Sequence, residues 1–206
     1  LDTCGTGGDG VKTFNISTAA AFVAAGAGVT VAKHGNRAVS SSCGSADVLE
    51  GLGVKIDLPP EAVKECIEGV GIGFLFAPVF HKAMKHAVGP RREIGIRTVF
   101  NILGPLTNPA GANVQVVGVY SPKLTEVVAH VLDNLGSKRC IAVHGKDGSD
   151  ELSITGPTHV SELQPRGVTN YEVAPEDVGL RRRALSEIAG GSLEENVRVL
   201  LDVLQG

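Results

Sequence analysis

The sequence has no tryptophan and one methionine, and aromatic residues make up only 4% of its 206 positions. Charge is scarce too: 20% of residues are charged and the formal net charge is −3. That balance argues against a disordered chain and against a general binder of nucleic acid or membrane surfaces. No apolar run reaches the roughly 18 residues of a membrane span, and nothing at the start resembles a signal peptide. The four cysteines (Cys4, Cys43, Cys66 and Cys140) are scattered with no C-x-x-C pair, so they read as reduced thiols of a cytoplasmic protein. A chain this long buries about 70% of its unfolded surface and needs no disulfide or metal staple to fold. Residues 1–206 read as one domain.

What the sequence has in excess is glycine. The 27 glycines are about twice the usual ~7%. They follow no collagen period and lie in short motifs between runs of Val, Ala and Ile, which points to loops that bring backbone close to something. Periodicity predicts strands ending at residue 3 and over 29–32, 73–77, 114–120, 140–144, 158–163 and 169–173. Helices are predicted over 15–27, 45–52, 59–69, 78–87, 123–135 and 193–204, with Asn15 and Ser17 as candidate caps of the first. Alternating strands and helices give an α/β fold, a largely parallel central sheet flanked by helices, with an antiparallel edge from the late, closely spaced strands.

The richest motif, Cys4-Gly5-Thr6-Gly7-Gly8-Asp9-Gly10, leaves the first strand and suits a loop whose N–H groups converge on an anion. Gly5, Gly7 and Gly10 satisfy the dinucleotide spacing, yet no acidic residue occurs between Gly10 and Ala46 to meet a ribose, which argues against an NAD site. A Walker A loop nearly fits through Gly5, Gly10, Lys12 and Thr13 but fails at Val11. Asn15-Ile16-Ser17-Thr18 begins the next helix, either as an ordinary cap or as a phosphate or metal-water site. A second loop, Lys33 to Ser45, crowds two cations, a histidine, an asparagine and four serines around two glycines. With Lys12, it makes the acid-free window locally cationic, as a polyanionic substrate requires. Asp150 and Glu151 follow a later strand; alone they are an acidic surface turn, and beside a pyrophosphate-like ligand they suit Mg²⁺. Arg91, after Pro90, either caps a helix or holds a substrate carboxylate. His81 and His86 lack metal-ligand spacing and read as structural.

Together these motifs, with the Asn101–Pro109 stretch, resemble the anthranilate phosphoribosyltransferases of tryptophan biosynthesis, in family order and over the whole chain. The resemblance implies transfer of phosphoribose from 5-phosphoribosyl 1-pyrophosphate to the amine of anthranilate, on the fold shared with pyrimidine nucleoside phosphorylases. It implies that Gly5, Gly8, Asp9, Thr13, Asn15, Ser17, Thr18, Lys33, His34, Gly35, Asn36, Arg37, Ala38, Val39, Ser40, Ser41 and Ser45 line the phosphoribosyl pyrophosphate site. Gly5, Asn36 and Arg91 would meet anthranilate, with no general base. Ser17 would help hold one Mg²⁺, and Asp150 and Glu151 a second. Members of the family carry an N-terminal helical domain that contributes to a homodimer; this chain opens directly at the glycine motif and reads as a piece of a longer protein. A pyrimidine nucleoside phosphorylase and a non-catalytic nucleotide-binding fragment are the alternatives.

Overall fold

The computed structural model describes residues 1–38 and 43–206, apart from the side chains of Val88, Arg91 and Arg92. The chain runs β1 (Asp2–Gly5), α1 (Ile16–Gly26), β2 (Val31–Gly35), α2 (Ser45–Gly51), α3 (Pro60–Val70) and β3 (Ile72–Phe76). Two short helices, α4 (Ala77–Phe80) and, after a 3₁₀ turn, α5 (Lys85–Ile94), lead to α6 (Leu103–Leu106) and β4 (Val114–Gly118). Then follow α7 (Lys123–Asn134), β5 (Arg139–Gly145), β6 (Thr158–Gln164), β7 (Gly167–Val173) and α8 (Leu193–Gln205).

Five strands form a sheet in the order β1-β4-β5-β6-β7, parallel as far as β5 and antiparallel at the β6–β7 edge. β2 and β3 form a parallel ribbon of their own. Main-chain bonds join the ribbon to the sheet at Leu1: its amino group donates to the Thr30 carbonyl (2.8 Å) and its carbonyl accepts from Ala32 N–H (2.9 Å). The spatial order is therefore β3-β2-β1-β4-β5-β6-β7, with a seam between β1 and β2. Strand order reverses about β1, and in open α/β sheets ligands bind at the carboxyl ends of strands beside such a reversal.

Small and β-branched residues build the core. Val117, Val119, Cys140, Ala142 and Leu163 of the sheet face Val128 and Leu132 of α7, all at most 2% exposed. A second cluster joins Ala19 of α1, Val48 of α2 and Leu200 of α8. The apolar spacing of α8 is anchored by a capping box, in which Ser192 accepts from Glu195 N–H and the Glu195 carboxylate accepts from Ser192 N–H. α3 starts on Pro60 and stops at Gly71, whose φ of 83° is the left-handed cap expected there.

Three expectations need correction. Strand β2 begins later and runs further than residues 29–32, because pairing with Phe74, Leu75 and Phe76 carries Lys33, His34 and Gly35 into the ladder. The helix expected over 78–87 is broken at His81, whose backbone leaves the helical region (φ −110°, ψ 59°), and resumes as α5 across Pro90. Neither Asn15 nor Ser17 caps α1 through its side chain: Asn15 Nδ2 donates instead to the Cys43 carbonyl (3.1 Å), and Ser17 lies inside the helix. Among the described residues no helix is long and apolar enough to cross a membrane.

Candidate active site

The glycine loop leaves the carboxyl end of β1 and is tied down at the end of β4. Thr6 N–H donates to the Gly118 carbonyl at the end of β4 (2.9 Å), and Thr6 Oγ1 accepts from Tyr120 N–H (3.1 Å). Gly7, Gly8 and Gly10 have φ of 63°, 74° and 85°, which a side chain would strain. Downstream, Phe14 N–H donates to the Ile188 carbonyl (3.0 Å) and Gly190 N–H to that of Lys12 (2.9 Å), so residues 186–190 hold the stretch containing Thr13.

The acidic turn rests directly on this loop. Gly7 N–H donates to Asp150 Oδ2 (2.7 Å), and Asp150 N–H donates to Asp9 Oδ2 (3.2 Å). Two glycines make the approach possible. A Cβ on Gly118 would lie 1.5 Å from the Asp150 carbonyl oxygen, and one on Gly5 would lie 2.5 Å from Asp150 Oδ2. The turn is itself built around Asp147, which accepts from Ser149 Oγ (2.7 Å), Ser153 Oγ (2.6 Å) and Thr155 Oγ1 (3.0 Å). Loss of hydration, and then the charge of Asp9, push the Asp150 carboxyl up to about 6. Burial and the charge of Asp150 push Glu151 up to about 8, with Lys33 opposing. Acidic groups forced together in this way call for a cation.

The donor set tests what cation would fit. Asp9, Asp150, Glu151 and the Ser17 hydroxyl offer only hard oxygens. Among the described residues no three acidic, histidine or cysteine side chains converge closely enough to cage an ion alone. Mg²⁺ suits such a site, since it takes one or two carboxylates and keeps the rest of its shell as water and substrate oxygens.

Lys33 lies beneath the loop, 3% exposed. Its ammonium donates to the Thr3 carbonyl (2.6 Å) and to Ser17 Oγ (3.3 Å), while Thr3 Oγ1 donates to the Ser17 carbonyl (2.8 Å), so the first turn of α1 is fastened to β1 twice. Burial lowers the Lys33 pKa, and Asp2, Cys4 and Glu151 counter it. His34 Nδ1 is 3.1 Å from the Gly104 carbonyl, and its ring meets that of His81 edge-on at 4.9 Å. Asn15 Oδ1, Thr18 Oγ1 and His34 Nε2 are buried with no hydrogen-bond partner among the described residues. Unsatisfied polar atoms are costly in a folded interior, and these three lie at the start of α1 and in β2, beside Ser17 and Lys33.

Several predicted residues have side chains engaged within the second loop and α2. The Arg37 guanidinium is engaged by Asp47 (2.9 Å) and, through two nitrogens, by Glu50 (2.8 and 3.0 Å), and it lies over the Phe76 ring. Asp47 also accepts from Ala38 N–H (3.0 Å) and Gly44 N–H (2.9 Å), which folds the second loop back on α2. Asn36 turns its side chain onto Arg37 N–H (2.8 Å), and its carbonyl accepts from Ser45 Oγ (3.3 Å). Gly35 lies against Ser45 and Phe74. Val39, Ser40 and Ser41 fall outside the described residues, and of Arg91 only the backbone, in α5, is described. The cationic window thus has its counter-charges from outside the window: Asp2 and Glu151 for Lys33, Asp47 and Glu50 for Arg37.

One cation at the loop escapes the sequence reading. Arg97 donates to the Gly8 carbonyl and stacks over the Tyr120 ring at 4.5 Å. It is 89 residues from Gly8, in a stretch with no local pattern to mark it.

Against known proteins, the chain matches the family described as "Glycosyl transferase family, a/b domain" over residues 1–206. It is 64% identical, over its whole length, to an anthranilate phosphoribosyltransferase of Moorella thermoacetica, of which it covers 61%. The solved anthranilate phosphoribosyltransferase of Thermus thermophilus superposes with a TM-score of 0.90 at 53% identity, over 97% of this chain and 59% of that one. The Saccharomyces cerevisiae enzyme, solved in complex with PRPP and Mg, gives 0.89 at 38% identity over 98% of this chain and 56% of that one. The chain therefore spans about 60% of the length of the relatives it matches. Matched from its first residue to its last, with the glycine loop, buried lysine and acidic turn assembled at one end of the sheet, the chain belongs to the glycosyl transferase family as its α/β domain.

Proposed function

We propose that the protein containing this chain transfers the phosphoribosyl group of 5-phosphoribosyl 1-pyrophosphate to the amine of anthranilate, releasing pyrophosphate. The observation that carries this reading is the stacking of the Asp150–Glu151 turn onto the Gly5–Gly10 loop, with Lys33 beneath: anion-binding amides and metal-binding carboxylates meet at one strand end. The PRPP and Mg bound to the yeast relative support the same substrate and cofactor here.

In this reading the loop amides, Thr13 and the Asn15–Thr18 turn hold the phosphates, and Lys33 through Ser41 with Ser45 line the rest of the site. Ser17 helps hold one Mg²⁺, and Asp150 and Glu151 hold a second. When bound, Mg²⁺ neutralises the pyrophosphate charge that grows as it leaves. Asn36 and Gly5 border the acceptor, and Arg91 faces its carboxylate. The amine nitrogen bonds to C1 of the ribose, the C1–O bond breaks with its electron pair passing to pyrophosphate, and the amine sheds a proton. A neutral aromatic amine is already nucleophilic, so positioning and electrostatics carry the rate and no Ser-His-Asp or Cys-His device is required. Arg37, tied to Asp47 and Glu50, shapes the second loop and does not itself grip phosphate. The protein is proposed to work in the cytoplasm, as a homodimer.

The test is consumption of anthranilate fluorescence by the full-length protein with phosphoribosyl pyrophosphate. Magnesium-dependent loss of fluorescence is expected. No loss at saturating substrate, with phosphorolysis of thymidine or uridine by free phosphate, assigns the fold's phosphorylase activity instead.

A further inference from the structure

The seam between β1 and β2 is built by two side chains far apart in sequence. The two main-chain rungs at Leu1 fix the parallel register, in which the next pair would run from Thr3 N–H to the Ala32 carbonyl and from His34 N–H to the Thr3 carbonyl. The structure substitutes side chains there. Ala32's carbonyl accepts from Asn108 Nδ2 (2.8 Å), and His34 N–H donates to Asp2 Oδ1 (3.2 Å). The same Asn108 amide gives its other hydrogen to Asp2 Oδ2 (2.8 Å). The Thr3 carbonyl, released from the ladder, accepts the Lys33 ammonium at 2.6 Å. Asp2 is fully buried, and Lys33 is the one buried lysine or arginine among the described residues.

We infer that Asp2 and Asn108 are positioning residues: by replacing two rungs of the ladder they splay β1 from β2 at their carboxyl ends and aim the Lys33 ammonium at the start of α1, where the phosphates bind. Asp2 and Asn108 bond the backbone of β2, and their action is through Lys33 and the backbone of His34. An uninterrupted ladder would engage the Thr3 carbonyl with His34 N–H and close the space the ammonium occupies. Asn108 is suited to the junction because one amide supplies two donors, while its Oδ1 accepts from Ala110 N–H (2.9 Å) and fixes the turn that carries it. The inference rests on the phosphoribosyl pyrophosphate reading of the site.

The experiment compares the full-length protein with its Asp2→Asn, Asn108→Asp and Gln115→Ala variants at a temperature where circular dichroism shows each folded. Asp2→Asn removes the charge and sets an amide donor against that of Asn108. Asn108→Asp keeps the shape and the bond from Ala110 but removes both donors. Gln115 pairs with Asp2 along the β1–β4 ladder, but its side-chain amide bonds the same loop at the Pro105 carbonyl (2.8 Å) and not Asp2 or Asn108, so it controls for simple loop anchoring. Calorimetry with phosphoribosyl pyrophosphate and magnesium should show at least tenfold weaker binding in both seam variants, with KM for that substrate rising in parallel. Gln115→Ala should lose thermal stability and keep parental affinity. Parental affinity in folded Asp2→Asn overturns the inference, as does an equal loss in Gln115→Ala; should Asn108→Asp fail to fold, Asp2→Asn decides alone. A parent that binds phosphoribosyl pyrophosphate but leaves anthranilate untouched refutes the proposed reaction, and the binding comparison still decides the seam.

Discussion

Replacing Gly118 by alanine probes the contact on which the site depends. Gly118 ends β4, and its φ is not in the left-handed region, so alanine meets no backbone strain there. What it meets is the Asp150 carbonyl oxygen, 1.5 Å from the new Cβ. Ordinary contact distances near 3.5 Å require the two to part by about 2 Å. The strand is held by β1 and β5 on either side, so the acidic turn has to yield. Overpacking of this kind costs about 1–3 kcal/mol, a fall of a few degrees in Tm for a protein of this size. Function should suffer much more, because a misplacement of about 1 Å at a reacting site can cost about 10²-fold. The expected outcome in the full-length protein is a folded enzyme with kcat/KM reduced at least a hundredfold and a weakened response to magnesium. Thermal melting and the anthranilate fluorescence assay measure the two effects separately. A Gly118→Ala protein with parental turnover and magnesium dependence would refute the argument that this turn must lie against the strand ends.

Gly69, near the end of α3 with open space around its Cα, should behave in the opposite way: Gly69→Ala should raise stability by about 0.5–1 kcal/mol in a denaturant titration and leave activity alone. Arg97→Met should weaken phosphoribosyl pyrophosphate binding about tenfold with little change in Tm, since it removes an exposed cation from the Gly8 carbonyl and the Tyr120 face; calorimetry reads the first and melting the second. At Asp147 burial raises the pKa, but the hydrogen bonds from Ser149, Ser153 and Thr155 outweigh it and hold the carboxyl below its ordinary 3.8. A depressed folded value means the stabilisation is present above about pH 4 and lost as pH falls through that value. Asp147→Asn should therefore be less stable than the parent at pH 7, and the gap in urea midpoints should narrow on acidification below about pH 4.

The parts of the site carried by local pattern were legible. Glycines at positive φ in the Gly5–Gly10 loop, the polar start of α1 and the adjacent acids at 150–151 each reflect a nearby backbone requirement. What the pattern missed depends on distant partners. The window from Gly10 to Ala46 stops one residue short of Asp47, which with Glu50 takes up Arg37. Lys33 and His34 looked like loop residues because both are polar, yet the β3 ladder and the buried Asp2 hold them in a strand. Arg97 meets Gly8 across 89 residues, and Asn108 meets Asp2 across 106, distances over which no spacing rule operates. The parallel sheet with its antiparallel edge was readable from alternation, whereas the seam inside it was not, since it is made by side chains standing in for main chain.

In this account the glycine loop and the acidic turn form one magnesium-dependent pyrophosphate site. Titration calorimetry of phosphoribosyl pyrophosphate into the full-length protein, with and without Mg²⁺, tests this most directly when repeated on the Asp150→Asn/Glu151→Gln double variant. Magnesium should tighten binding to the parent at least tenfold, and the double variant, folded with a Tm close to parental, should lose that response. Equal magnesium-dependent binding by both proteins would contradict the account.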